Sequence, residues 1–530
     1  LVVQEPGTPR ALERHLRPQS VAETSFEELC AALGAVRGSL NPAANPLVRG
    51  VSLNPQVVQP GDVFLAISGA RRHGAEFAAT AVANGALALI TDAQGLAHLP
   101  ADFQLPVATV ENVRAVAAAA AQRIYGTATR CPQLFGVTGT NGKTTTTFMI
   151  RSILEALGTE TGLVGTIEMS ARGQIIPSVL TTPESTQLHG VLASMAEQQV
   201  DAVAMEVSSH SLSYGRVDAL SFAVAGYTNL TQDHLDLHGT MQEYFETKAQ
   251  LFTPERSQRA VVMVDDAYGQ QLVDRALVPT ESLSLDAGHP GADWRVENLQ
   301  HSGLGHSFNI THRDGRTLST RTGLPGMFNV ANAALAALMV LASGVPLHAL
   351  QQALDASDPL SVAVPGRMQV VGESPVAVVD FAHNSDALAK ALDSVRPGPG
   401  GRRIIVFGAT GDRDTTKRPD MGAVAVRHAD IVIVTDDDPH GEDPAPIREQ
   451  VAAGAARAIE AERPEVQLHN IAPRAKAVEF AVSLAGANDA ILVAGRGHEV
   501  SQDVAGMDVE LDDRVELANA LKLHGFVTIP

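Results

Sequence analysis

The sequence predicts an α/β protein of three domains: a small N-terminal α/β domain, a central parallel-sheet domain and a C-terminal open-sheet domain. Three observations carry this expectation. A chain of 530 residues exceeds what one hydrophobic core can serve. Short apolar runs alternate with Ala-rich helical stretches along its length. The apolar runs beyond residue 370 end in Gly, Asp or His, as do strands that deliver polar groups to one edge of an open sheet.

Composition agrees. Hydrophobic residues make up 45%, charged residues 18% and aromatics 4%, which fits a globular protein with Ala-rich helices and not a disordered one. The 39 basic side chains face 59 acidic ones, and a net charge of −20 with no basic patch repels nucleic acid and anionic membranes. Cys30 and Cys131 lack the spacing of a disulfide framework or zinc site and suit a reducing cytoplasm. Glu5, Arg10, Glu13 and Arg14 precede any apolar run, so no signal peptide or membrane span is read there.

In chain order, VFLAI (63–67), ALALITD (86–92) and PVATV (106–110) read as strands of a first domain, 1–131, which an Ala-rich helical run at 115–122 closes. The central domain, 132–362, begins with a strand and carries others at 201–207 and 222–228. Its region 292–322 alternates polar residues like an antiparallel element. The Pro-containing SVAVPGRM near 360 suits a linker. In the last domain, 363–530, AVVDFAH (377–383), RIIVFGAT (403–410), ADIVIVTDDD (429–438) and DAILVAGRG (489–497) read as the strands of a Rossmann-like sheet.

The strongest signal is Gly136-Val-Thr-Gly139-Thr140-Asn141-Gly142-Lys143-Thr144-Thr145, set between a strand and an amphipathic helix that Gly158 closes. Glycines let the backbone approach phosphate, amides at the helix start point toward it, Lys143 reaches the β/γ-phosphates and Thr144 offers a hydroxyl to magnesium. The strict motif wants Gly at position 137, where Val137 stands, so this is a variant phosphate loop. The central domain is accordingly expected to be P-loop ATPase-like and to bind ATP.

GTNGKT resembles the loop of the Mur ligases and their folylpolyglutamate synthase relatives. TTPES (181–185), MEVSSHSL (205–212), TNLTQDHLDLHG (228–239), YFETK (244–248), GMFNVAN (326–332), PGRM (365–368), VDFAHNSDAL (379–388), GDRDTTKRPDM (411–421) and GRGHE (495–499) extend the likeness in order over about 450 residues. They resemble the branch that adds the third residue of the peptidoglycan stem peptide. A folylpolyglutamate-type enzyme is the nearest rival, but it needs no uridine-binding domain of ~130 residues.

The resemblance implies an ATP-dependent ligase with two magnesium sites and the substrate UDP-N-acetylmuramoyl-L-alanyl-D-glutamate. Glu206 and His234 join Thr144 as implied metal ligands. Taken alone, a Glu at a strand end is a solvated charge, and Lys248 in YFETKAQLF is a snorkelling lysine on an amphipathic helix. By resemblance Lys248 is carbamoylated and holds the second magnesium, which requires a neutral amine that burial favours. Asn332, Arg367, Asp380 and His383 are implied to grip ATP from beyond the loop. Thr181, Thr182, Ser208, Tyr214 and Arg216 are implied to hold the muramoyl dipeptide, Arg216 facing an anion.

Leu53 matches the uridine-binding segment, but Asn54-Pro55-Gln56 stands where the family shows Asp-Ser-Arg, and Pro55 offers neither hydroxyl nor amide hydrogen. Arg413 matches the residue holding the α-carboxylate of the incoming amino acid. Relatives using meso-diaminopimelate read Asp-Asn-Pro-Arg where this chain reads Asp437-Asp438-Pro439-His440. With Gly495 and Glu499 of GRGHE, the inverted charge favours a distal ammonium, hence L-lysine, with ornithine or meso-diaminopimelate as alternatives. Lys143, His234 and Lys248 are the expected catalytic residues, and the protein is expected to act as a monomer.

Overall fold

The computed structural model describes residues 17–529 apart from 39, 42, 70–71, 177–180 and 413–414. Glu5, Arg10, Glu13, Arg14 and Arg413 therefore lie outside the described residues. Each group of apolar runs forms a separate sheet. The first has five strands, in the order Val36–Arg37, Val107–Thr109, Ala88–Thr91, Asp62–Leu65, Gly50–Ser52. All its neighbours are parallel except the first pair. Strands buried on both faces need continuous apolar side chains, and Val63, Phe64, Leu65, Leu89 and Ile90 supply them. The Ala-rich run becomes the helix Val113–Tyr125, capped by Asn112 at one end and by Gly126 in a left-handed conformation at the other.

The central sheet has eleven strands. Its middle is parallel, with Gln133–Thr138 between Ala202–Glu206 and Val224–Tyr227. Helices Lys143–Ala156 and Met327–Ala342 pack their apolar faces on one side of it. Ser185–Glu197 and Met241–Ala249 cover the other. The polar region expected to be antiparallel is a meander of Trp294–Ser302, Gly305–His312 and Thr317–Thr322. It is no separate unit, because Leu283 and Ser284 pair with Trp294 and Arg295 and continue the parallel sheet into it.

The third sheet runs Gln369–Glu373, Val376–Asp380, Ala490–Ala494, Arg403–Phe407, Ile431–Val434, Gln467–Asn470, parallel but for its first pair. The linker at 360 is a short 3₁₀ turn, Pro359–Ser361, followed by loop up to Gln369. Among the described residues no helix is long and apolar enough to cross a membrane. The fold places Gly139, Glu206, Asp380, Asp437 and Gly495 at or just past the carboxyl ends of strands, where open α/β sheets bind ligands.

Candidate active site

A cleft of about 1070 Å³ opens between the carboxyl edges of the central and C-terminal sheets. On the central side the phosphate loop wraps the start of helix Lys143–Ala156. Gly142 takes φ +91°, and a Cβ there would stand 2.4 Å from Asn332 Oδ1, so both conformation and space require glycine. Asn332 thus lies against the loop and donates to Asn329 Oδ1 at 3.2 Å. The Lys143 ammonium donates to the carbonyls of Gly139 (3.0 Å) and Thr140 (2.8 Å). Burial lowers its pKa and Arg367 adds to this, against the pull of Glu206 and Asp233.

Glu206 is buried, and its carboxylate accepts from Thr144 Oγ1 at 3.0 Å, Thr166 N at 2.7 Å and Thr166 Oγ1 at 3.1 Å. Hydrogen bonds to a charged group contribute about 1.5–3 kcal/mol each, which offsets much of the cost of enclosing it. Thr144 and Glu206 therefore present two oxygens side by side in the cleft wall. Magnesium takes few protein oxygens and completes its shell with phosphates and water. This pair fits that demand, and among the described residues no group of three or more His, Cys, Asp or Glu could hold a metal by itself.

Lys248 is 1% exposed and reaches under the loop, donating to the Gly139 carbonyl at 2.8 Å with Tyr244 beneath its ammonium. Burial pushes its pKa well below the ordinary lysine value, and Lys143 adds to the shift. The shift runs in the direction that favours the neutral amine carbamoylation needs. As an amine it is no metal ligand. His234 has a positive φ of 52° and stands edge-on to His210 at 4.9 Å. Desolvation pushes its pKa down to about 4, against the pull of Asp233.

The C-terminal sheet supplies the opposite wall. Arg367 stacks on Phe381 at 4.2 Å and reaches across to Thr144 Oγ1 at 3.4 Å. Asp380 accepts from the backbone of Met368 (2.7 Å) and Ala382 (2.9 Å), and burial raises its pKa. His383 hydrogen-bonds the Phe381 carbonyl and faces Asp233 at 3.8 Å. Asp233, inside the quoted TNLTQDHLDLHG stretch but given no role, joins the two walls; Thr166 and Arg496 were missed likewise, and Thr166 lies in no motif.

The expected dipeptide residues are present but less free than anticipated. Thr181 accepts from Thr166 Oγ1, Thr182 donates to the Glu206 carbonyl, and Ser208 caps the short helix Ser209–Ser213. Arg216 already pairs with Glu184 at 2.8 Å, and Glu184 also takes Arg114 at 3.1 Å, with Tyr214 lying between the two guanidiniums. Arg216 lines the cleft; Tyr214 does not. Leu53 packs against the N-terminal core, and Asn54 caps a 3₁₀ turn, so neither reaches the cleft.

At the amino-acid end, Asp437, Asp438, His440, Gly495 and Glu499 line the cleft, while Pro439 supports the loop behind Gly411. The acidic cluster is not uncompensated: Arg496, fully enclosed, donates to Asp438 and lies 3.6 Å from Glu499. His440 is held by Asp503 at 2.8 Å. Burial pushes Glu499 up to about 8, Asp437 and Asp438 adding to the effect and Arg496 opposing it.

A phosphate loop, a buried carboxylate–hydroxyl pair beside it and a cationic arm from a facing sheet are what an ATP-dependent ligase needs. Models of the Mur ligase family's catalytic domain, of its middle domain and of the Mur ligase glutamate ligase domain match residues 47–126, 137–340 and 366–497. A UDP-N-acetylmuramoyl-L-alanyl-D-glutamate–2,6-diaminopimelate ligase of Streptomyces avermitilis is 41% identical, covering 98% of this chain and 99% of its own. A UDP-N-acetylmuramyl-tripeptide synthetase of Leifsonia xyli is also 41% identical, covering 97% and 98%. A solved structure of a 2,6-diaminopimelate ligase superposes with a TM-score of 0.65 at 30% identity, covering 96% of this chain and 100% of that one. The chain belongs to the Mur ligase family.

Proposed function

We propose that the protein adds a diamino acid to UDP-N-acetylmuramoyl-L-alanyl-D-glutamate in peptidoglycan synthesis, acting in the cytoplasm as a monomer. The observation that carries the reading is the facing of two walls across one cleft: the phosphate loop with Glu206, and opposite it Arg367 and the acids at 437, 438 and 499, while Lys248 lies buried beneath the loop. In the proposed division, residues 1–131 hold the UDP-sugar, 132–362 bind ATP and 363–530 deliver the amino acid.

The D-glutamate γ-carboxylate attacks the γ-phosphorus of ATP, giving an acyl phosphate and ADP. The amine of the incoming amino acid then attacks the acyl carbon; phosphate leaves and the amine proton passes to solvent. Lys143 and Arg367 place positive charge on both sides of the transferring group, which is where two anions meet. Thr144 and Glu206, with His234, would hold magnesium, which would neutralise phosphate charge. Carbamoylated at its neutral amine, Lys248 would offer an oxygen donor to a second ion. Asn332, Asp380 and His383 line the nucleotide end of the cleft.

For the amino acid, the names of the Streptomyces relative and the superposed structure favour meso-diaminopimelate over the L-lysine expected from the loop. L-lysine remains the second reading on one observation: the distal pocket offers Asp437, Asp438 and Glu499, and its His440 is already tied to Asp503, which leaves a distal carboxylate no arginine like that of the Asp-Asn-Pro-Arg loop. ADP release from the muramoyl dipeptide and ATP, with meso-diaminopimelate, L-lysine and L-ornithine compared by kcat/KM, decides between them. Diaminopimelate ahead by about tenfold or more supports the first reading, lysine ahead supports the second, and no release with any of the three overturns the ligase.

A further inference from the structure

Arg496 lies where three carboxylates from two loops converge. Its side chain is fully enclosed. Nη1 donates to Asp438 Oδ1 and stands 3.6 Å from Glu499 Oε2 and 3.9 Å from Asp437 Oδ1, while Nη2 donates to the Ser501 carbonyl. The loop that carries it has no slack. Gly495 takes φ +113°, with a Cβ there meeting Asp437 Oδ2 at 2.5 Å; Gly497 takes φ +55°, with a Cβ there 2.6 Å from the Gly366 carbonyl oxygen.

The nearby guanidinium of Arg474 is bound twice by Asp513 at 2.7 Å in full burial and acts on Asp437 and Glu499 only from farther away. Arg496 is the cation in ion-pair contact with the three carboxylates. Crowded carboxylates without a cation take up protons or move apart, since like charges in a poorly solvated site disfavour ionisation. With the cation in place, the wall keeps an excess of negative charge facing the cleft. Arg496 itself cannot reach a ligand, whereas Asp438 and Glu499 line the cavity.

We propose that Arg496 is the positioning residue of the amino-acid pocket, holding Asp438 and Glu499 in one arc that receives the distal ammonium of a diamino acid. The inference rests on the ligase reading above. An arriving ammonium supplies a second cation to the three carboxylates. A neutral side chain of similar length supplies none, so the arc selects for charge at the far end of the substrate.

The test uses full-length Arg496→Met and Arg496→Lys with steady-state ADP release, reading KM for the preferred diamino acid and for ATP beside the thermal midpoint. Arg496→Met is expected to raise KM for the diamino acid about tenfold or more with KM for ATP within about twofold, and Arg496→Lys to recover part of the loss. In Arg496→Met the pH at which KM for the diamino acid falls should also move upward, since Glu499 loses the cation that favours its ionised form. An unchanged KM for the diamino acid overturns the proposal, as does a rise in both KM values in step with a falling midpoint. Should Arg496→Met fail to fold, Arg496→Lys decides against wild type: a rise in KM for the diamino acid alone supports positioning, and no rise or an equal rise in both KM values refutes it. Wild-type protein that turns over with no diamino acid would bring down the ligase reading first.

Discussion

Lys248 shows how burial changes the chemistry open to a residue. On the surface its ammonium would be inert toward carbon dioxide; enclosed against Tyr244 with Lys143 nearby, its pKa is pushed well below the ordinary lysine value, in the direction that favours the neutral amine. Lys248→Ala is expected to lower kcat by about 10²-fold or more with little change in thermal midpoint, and added bicarbonate should not restore it. Retention of a tenth of the wild-type rate would remove Lys248 from the mechanism. The sequence made Lys143, Thr144 and Glu206 legible because local motifs carry them. Arg496 stayed hidden because its partner Asp438 lies 58 positions away, and only the third sheet brings the two loops together. A separation of 32 positions likewise concealed the Glu184 contact that occupies Arg216.

Among the elements, strands were readable as apolar runs because burial on both faces leaves them no other composition. Their neighbours were not: that the polar meander continues the central sheet is decided by the pairing of Leu283 with Trp294, which no local pattern announces. The turn into helix Lys143–Ala156 was readable in both respects. Gly142 is required there by its positive φ and by the 2.4 Å approach of Asn332 that any Cβ would meet. Gly142→Ala is expected to destabilise the protein by about 1–3 kcal/mol and to raise KM for ATP, because relief of the clash displaces Asn332 or the loop. Calorimetry and ATP titration check it; an unchanged midpoint and KM would mean that the loop tolerates what its geometry excludes.

At the scale of the whole molecule, polar contacts among the described residues that tie the two walls of the cleft include Arg367 to Thr144, His383 to Asp233, and Asn141 to Asp386 at 3.5 Å. Each wall was foreseeable from its own motifs, but the pairs across the cleft were not, since they depend on how two sheets are set against each other. Arg367 is the contact with chemical consequence. Its guanidinium is flat enough to lie on Phe381 while Nη2 reaches Thr144 Oγ1, a geometry a lysine cannot reproduce. Arg367→Lys should therefore behave more like Arg367→Ala than like wild type, each raising KM for ATP by about tenfold and lowering kcat, because both lose the stacked guanidinium that ties the walls together, and Ala loses the charge as well. Binding of the muramoyl dipeptide, measured by calorimetry without ATP, should stay within about twofold. Full activity in Arg367→Lys would show that charge alone suffices and that the stacked orientation across the cleft has no part in turnover.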